Sequence, residues 1–97
     1  MERIELNNWY IKGNELSISL AKFAVKIMIL KNDLAIYYQV HVYGDIELIF
    51  NFYSIEDAIS FTEHVVANSF DADEICDNYI SMHANGEFAK PFQKRRK

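Results

Sequence analysis

Apolar and polar residues alternate through the first half of the chain. From Trp9 to Phe52 the apolar side chains recur at every second position, and many of them are β-branched or aromatic. This pattern is typical of strands that bury one face. Turn-forming pairs interrupt it at Gly13-Asn14, Asn32-Asp33 and Gly44-Asp45. The first half is therefore predicted to form an antiparallel meander of hairpins.

The turns predict how the strands pair. Two-residue turns are expected at Gly13-Asn14 and Asn32-Asp33, and an odd-length loop at Tyr43-Gly44-Asp45, because these choices place apolar residues opposite one another. A slip of one residue would pair apolar with polar side chains throughout. The expected pairs are Ile11–Leu16 and Trp9–Ile18 in the first hairpin, Ile29–Ile36, Ile27–Tyr38, Val25–Val40 and Phe23–Val42 in the second, and Val42–Ile46, Val40–Leu48, Tyr38–Phe50 and Ile36–Phe52 in the third.

Residues 16–31 allow two interpretations. The alternation changes phase after Leu20, because the next inward candidate is Phe23, and we interpret Ala21-Lys22 as a bulge or bend. A helix is the alternative, since the apolar spacing also fits a helical face. Strand alternation accounts for more of the residues in this segment.

The second half is predicted to be helical. Ser54 and Asp71 each begin a capping pattern, and Asn85-Gly86 is a typical helix end. The expected apolar stripes are Ile55, Ala58, Ile59, Thr62, Val65 and Val66 on the first helix, and Ile75, Cys76, Tyr79, Ile80, Met82 and His83 on the second. The predicted fold is α+β, a four-stranded antiparallel meander with two C-terminal helices packed on one face (β-β-β-β-α-α). Residues 1–89 would form this single domain and residues 90–97 a basic C-terminal tail.

Charge is distributed unevenly along an otherwise ordinary globular composition. The 97 residues are 51% hydrophobic and carry a net charge of −4. Residues 1–31 have a net charge of +2, residues 32–89 contain eleven acidic residues and no Lys or Arg, and residues 90–97 carry +5. Such asymmetry bears on the choice of binding partner rather than on the fold.

No catalytic, cofactor or metal site is expected. Cys76 and His83 lie seven residues apart on one predicted helix, but no further group completes a nucleophilic site there. His41, His64 and His83 are scattered without the spacing of a metal site. The lone cysteine fits a reducing compartment, and neither a targeting signal nor an apolar run of about 20 residues is present. We therefore expect a cytoplasmic protein that does not associate with membranes.

Three surfaces are candidates for binding. The exposed face of the sheet would be rich in tyrosine, which suits an interface because tyrosine buries a large area at low entropic cost. The predicted helices would expose an acidic surface, and the C-terminal tail could neutralise phosphates. The candidate residues are Met28, Tyr37, His41, Tyr43 and Tyr53 on the sheet, Glu63, Asp73, Asp77 and Glu87 on the acidic face, and Lys90, Lys94, Arg95, Arg96 and Lys97 in the tail.

These surfaces favour a non-enzymatic interaction protein. In size, acidity and lack of catalytic motifs the chain is similar to small accessory proteins of bacteriophages that inhibit host enzymes, although no motif carries this resemblance. It implies an inhibitor that binds a host protein with a basic surface, such as a nucleic-acid-processing or defence enzyme. The alternatives are a small RNA- or DNA-binding protein that uses the tail and the sheet aromatics, and a homodimeric regulatory protein.

Overall fold

The chain forms an antiparallel sheet followed by two helical segments, an α+β fold. The computed structural model describes residues 9–33 and 35–88. The first helix continues through a π-helical turn (Phe61–Val65) and a 3-10 turn (Val66–Asn68). The strands are hydrogen-bonded in the order in which they occur along the chain. The elements are β1 (Tyr10–Lys12), β2 (Glu15–Ser19), β3 (Ala24–Lys31), β4 (Ile36–Tyr43), β5 (Glu47–Phe52), α1 (Ile55–Ser60) and α2 (Ala72–Ala84).

The sheet has five strands rather than the predicted four. The phase change at Ala21-Lys22 is a reversal of the chain, closed by a 2.8 Å hydrogen bond from the Leu20 N–H to the Phe23 carbonyl. The segments before and after it are separate strands, β2 and β3, which pair antiparallel. The helical alternative for residues 16–31 is therefore wrong. The helices are also only partly C-terminal, since α1 begins near the middle of the chain and a turn follows α2.

The first hairpin has the predicted register. Ile11 lies opposite Leu16, and the turn contains Gly13 at a φ of 57°. This left-handed conformation costs glycine little, because glycine has no Cβ. Trp9 lies before β1, so its expected pairing with Ile18 is not part of the ladder.

The other two registers differ from the prediction by two residues. Asn32 begins the β3–β4 turn instead of occupying its centre, because its backbone N–H donates to the Ala35 carbonyl and its Oδ1 accepts from the Ala35 N–H at 2.9 Å. The loop after β4 has the expected odd length but covers residues 44–46. A shift of two residues keeps every side chain on its predicted face. The observed pairs include Val25–Val42, Ile27–Val40 and Ile29–Tyr38 between β3 and β4, and Val42–Leu48, Val40–Phe50 and Tyr38–Phe52 between β4 and β5.

The core lies between one face of the sheet and the helices. The apolar stripe expected on the first helix is confirmed at four positions, which are buried: Ala58, Ile59, Thr62 and Val66. The Thr62 hydroxyl donates to the Ala58 carbonyl at 3.0 Å. Aromatic rings fill the centre with centroid separations of 4.7 to 6.1 Å. Five of these contacts are edge-to-face, and such contacts add to the stabilisation from apolar burial. These rings belong to Phe50, Phe52, Phe61, Tyr79 and Phe88.

The helix ends follow the predicted capping. Ser54 accepts from the Asp57 N–H and Asp71 accepts from the Glu74 N–H, as N-cap residues do. After α2 the Gly86 N–H donates to the His83 carbonyl and the Glu87 N–H to the Met82 carbonyl, which is a Schellman motif. The predicted stripe of α2 is wrong at Ile80, whose side chain is 63% exposed.

Candidate functional site

The face of the sheet opposite the helices, called here the outer face, carries the predicted sheet residues. Met28, Tyr37, His41 and Tyr43 alternate with core residues along β3 and β4 and so share this face. Tyr53 follows β5, and its ring centroid lies 6.2 Å from that of Tyr37. The structure therefore brings the five residues to one side of the sheet, although they are divided between its two ends.

A polar network crosses the outer face between β4 and β5. The His41 ring nitrogens lie 3.1 Å from Glu47 Oε2 and 2.9 Å from Gln39 Oε1, and the Gln39 amide nitrogen donates to Asn51 Oδ1 at 3.1 Å. The His41 ring also stacks with Tyr43, with centroids 6.2 Å apart and planes inclined by 22°. Because both ring nitrogens are occupied, this network holds His41 and, through it, the Tyr43 ring in place.

A trough crosses the outer face next to this network. It has a volume of about 560 Å³, and its exposed aromatic side chains are Tyr10 on β1 and Tyr43 on β4. No local sequence pattern associates Tyr10 with Tyr43, which lie 33 residues apart in the chain. The β2–β3 turn creates that association, because it places β1 and β2 beside β3. We call this surface the tyrosine trough and define it by Tyr10, Ser17, Ser19, Ala24, Lys26 and Tyr43.

The predicted acidic residues are distributed over three segments of the helical half. Asp73 and Asp77 lie one turn apart on the exposed side of α2, and Ile80 follows on the same side. Glu63 lies in the π-helical turn, and its Oε2 accepts a 2.8 Å hydrogen bond from the Trp9 indole N–H. Glu87 is exposed beyond the end of α2. We call Asp73, Asp77 and Ile80 the α2 face, and we assign Glu63 a structural contact that the sequence did not reveal.

His83 contacts Tyr79 and Phe88, and the pKa of Cys76 is raised. The His83 Nε2 lies 3.0 Å from the Tyr79 hydroxyl, and the ring packs edge-on against Tyr79 and Phe88. Burial raises the pKa of the Cys76 thiol, and the carboxylates of Asp73 and Asp77 raise it further. A raised pKa keeps the thiol protonated, and the thiolate is the nucleophilic form.

Tyr79 connects α2 to the edge of the sheet. Its hydroxyl donates a 2.9 Å hydrogen bond to the Asn51 carbonyl on β5. Burial raises the pKa of the phenol, and nearby Tyr53 raises it further. The net effect is a phenol that remains protonated above its ordinary range.

Two features of the described residues bear on metal binding and on membrane spanning. Within residues 9–33 and 35–88, no three His, Cys, Asp or Glu side chains are grouped so that they could hold a metal ion. The helices of the same residues include none with the length and apolar character needed to cross a bilayer. The predicted tail residues, Lys90, Lys94, Arg95, Arg96 and Lys97, lie outside the described residues.

Comparison with known proteins assigns no relatives. No protein-family model, no curated protein and no solved structure matches this chain.

Proposed function

We propose that this protein binds another protein without catalysing a reaction, and that the α2 face docks on a basic surface of that partner. The observation that carries the proposal is the exposure of Ile80, 63% accessible, on the same side of the helix as Asp73 and Asp77. An apolar side chain bordered by charges of one sign has the composition of a small interface, with an apolar centre and a polar rim.

Ile80 supplies the apolar contact. It follows Asp77 by three residues and Asp73 by seven, so the three side chains lie along one side of the helix, over about 10 Å at 1.5 Å per residue. Binding energy at interfaces is concentrated in a few side chains that lose their water on association. Ile80 is the member of the α2 face that can contribute in this way.

The carboxylates of Asp73 and Asp77 would direct the approach of the partner. Asp73 lies in the first turn of α2, where the helix dipole already favours a carboxylate, but Asp77 lies beyond that turn and has no such explanation. Residues 32–89, which include both helices, contain no Lys or Arg. Complementary potentials accelerate association and select among partners, so a basic surface is the expected counterpart.

The partner class follows from this complementarity. Enzymes that process nucleic acids expose basic channels to hold phosphates. An acidic protein that occupies such a channel would exclude the substrate and act as an inhibitor. A host nucleic-acid-processing or defence enzyme is therefore the partner we propose.

The test compares charge reversals at matched exposed positions. The tagged full-length protein and its Asp77→Lys, Ile80→Ser and Asp33→Lys variants are used to capture partners from a lysate of the cells in which the protein is naturally made, with and without nuclease. Asp33 is exposed in the β3–β4 turn, so its variant makes the same change in net charge away from α2. Glu63 is unsuitable because it accepts the Trp9 hydrogen bond.

The wild type and Asp33→Lys should retain one partner after nuclease treatment, and Asp77→Lys and Ile80→Ser should lose it. Circular dichroism should show that all four proteins are folded. Equal recovery of the partner by every folded variant, or loss of the partner on nuclease treatment alone, would contradict the proposal.

A further inference from the structure

We propose that the tyrosine trough binds a segment of single-stranded nucleic acid. This site lies on the outer face of the sheet, whereas the α2 face lies on the helical side. The two proposals therefore concern different surfaces and can fail independently.

The shape of the trough suits flat rings. Its lining includes three small side chains, Ser17 and Ser19 on β2 and Ala24 on β3, which lie between Tyr10 and Tyr43. Tyr10 is on β1 and Tyr43 on β4, three strand spacings apart, or about 14 Å at 4.7–4.9 Å per spacing. Because the side chains between the two tyrosines are small, a heterocyclic ring has room to stack on either tyrosine.

The aromatic side chains are available for stacking. Tyr10 is 65% exposed and Tyr43 is 37% exposed. The stacking contact with His41, at 6.2 Å, helps to fix the orientation of the Tyr43 ring before a ligand arrives. Exposed aromatic side chains on an open sheet are the platform on which single-stranded nucleic acids stack their bases, and every base offers a π-face for this contact.

The polar groups suit a sugar-phosphate backbone. Lys26 lies directly opposite Ser17 in the β2–β3 register, so an ammonium group and a hydroxyl are adjacent in the trough. The Lys26 Nζ is 3.8 Å from Glu15 Oε1, and this exposed ion pair is weak enough to be replaced by a phosphate contact. Lysine ammonium groups and serine hydroxyls are common phosphate ligands in nucleic-acid complexes.

The distribution of charge favours an anionic ligand at this face. The outer face carries Lys12 on β1 and Lys26 on β3, beside the carboxylates of Glu15 and Glu47. Lys22 instead lies against the segment before α2, where its Nζ donates to the Phe70 carbonyl at 3.1 Å. The helices on the opposite face contribute carboxylates without Lys or Arg. A polyanion is therefore repelled by the helical side more than by the outer face, where Lys12 and Lys26 offset the two carboxylates.

The test measures binding of fluorescein-labelled dT12 and U12 to the full-length protein by fluorescence anisotropy at 50 and 200 mM salt. Wild type should bind saturably and more weakly at the higher salt concentration. Tyr10→Ala and Tyr43→Ala should each weaken binding roughly 5- to 150-fold, the range expected for loss of one stacked base. Lys26→Gln should reduce the slope of log affinity against log salt by about 0.7, as for one lost phosphate contact with a single strand.

Tyr37→Ala is the matched control. It removes the same atoms from the same strand and face as Tyr43→Ala but lies outside the trough, so its affinity should equal that of wild type. Tyr10→Phe and Tyr43→Phe retain the stacking ring and should also bind, which separates loss of stacking from loss of folding. Asp77→Lys, which tests the α2 face, should leave this binding unchanged or strengthen it.

Three results would overturn the proposal. The first is absence of binding at 50 mM salt, and the second is equal affinity of the Tyr10→Ala, Tyr43→Ala and Tyr37→Ala variants. The third is a wild-type dimer in light scattering that Tyr43→Ala dissociates while neither probe binds, because the trough would then be occupied by a second copy of the chain.

Discussion

The hydrogen bond between Trp9 and Glu63 should make a measurable contribution to stability. The Trp9 indole N–H donates to Glu63 Oε2 at 2.8 Å, and only 8% of Trp9 is exposed. The bond fastens the start of β1, a strand of three exposed residues, to the π-helical turn. Hydrogen bonds to charged groups contribute about 1.5–3 kcal/mol, and we expect Glu63→Ala to lower the free energy of unfolding by a similar amount.

Urea denaturation provides the measurement. Trp9 is the one tryptophan of the chain, so its fluorescence reports directly on this site, while circular dichroism follows the whole fold. Glu87→Ala is the control, because the Glu87 side chain is exposed beyond α2 and its removal should change the stability by less than about 0.5 kcal/mol. In thermal denaturation each kcal/mol should lower the Tm by roughly 4–8 °C for a domain of this size.

A double-mutant cycle isolates the bond itself. Trp9→Phe retains an aromatic ring and removes the N–H donor. Once Trp9 is replaced, Glu63→Ala should cost less than it does in the wild type, with a coupling energy above about 0.5 kcal/mol. The reasoning would be refuted if Glu63→Ala proved as stable as Glu87→Ala, or if the costs of the two substitutions simply added.

Two further perturbations test the packing and the ionisation described above. Gly44→Ala should lower the free energy of unfolding, measured in urea, by about 1–3 kcal/mol, because the Cβ of the alanine would lie 2.8 Å from the Phe23 ring. A variant as stable as the wild type would show that the Phe23 ring moves aside freely. Stability should fall as the pH rises above about 10, because burial raises the pKa of the Tyr79 phenol above its ordinary value of 10.0 and the unfolded chain therefore loses this proton first. The stabilisation from this shift is complete below the pKa of the unfolded chain and is lost as the pH rises through the pKa of the folded one. Tyr79→Phe should therefore lessen the decline in stability between pH 9 and 11. An identical decline in that variant would exclude Tyr79 as its cause.

The sequence predicted which face of the sheet each side chain occupies better than it predicted which residues pair between strands. Alternation with a period of two identifies which side chains point inward but cannot distinguish a register from one shifted by two residues. The β3–β4 pairing therefore depended on turn chemistry, and the two hydrogen bonds between Asn32 and Ala35 moved the turn. The capping residues Ser54 and Asp71 were predictable because their contacts lie within three residues.

The strand count and the candidate surfaces depended on contacts that a local pattern does not encode. The reversal between Leu20 and Phe23 contains no Gly, Pro, Asn or Asp to mark a turn, so the phase change alone was ambiguous. The contact between Trp9 and Glu63 spans 54 residues of sequence. Ile80 lies at the border of the predicted stripe, and only the position of α2 on the sheet decides that it faces outward.

The strand order has a consequence for how the protein folds. Because each strand pairs with its neighbour in sequence, every pairing in the sheet closes a short loop and costs little entropy. Such hairpins form within about 1–10 μs, so formation of the sheet does not depend on contacts between distant segments of the chain. Attachment of β1 is the exception, since Trp9 requires the helical segment that carries Glu63 to be in place. We expect β1 to dock late and to detach first, and its detachment would expose the hydrogen-bonding edge of β2, where an unpaired edge invites association with another chain.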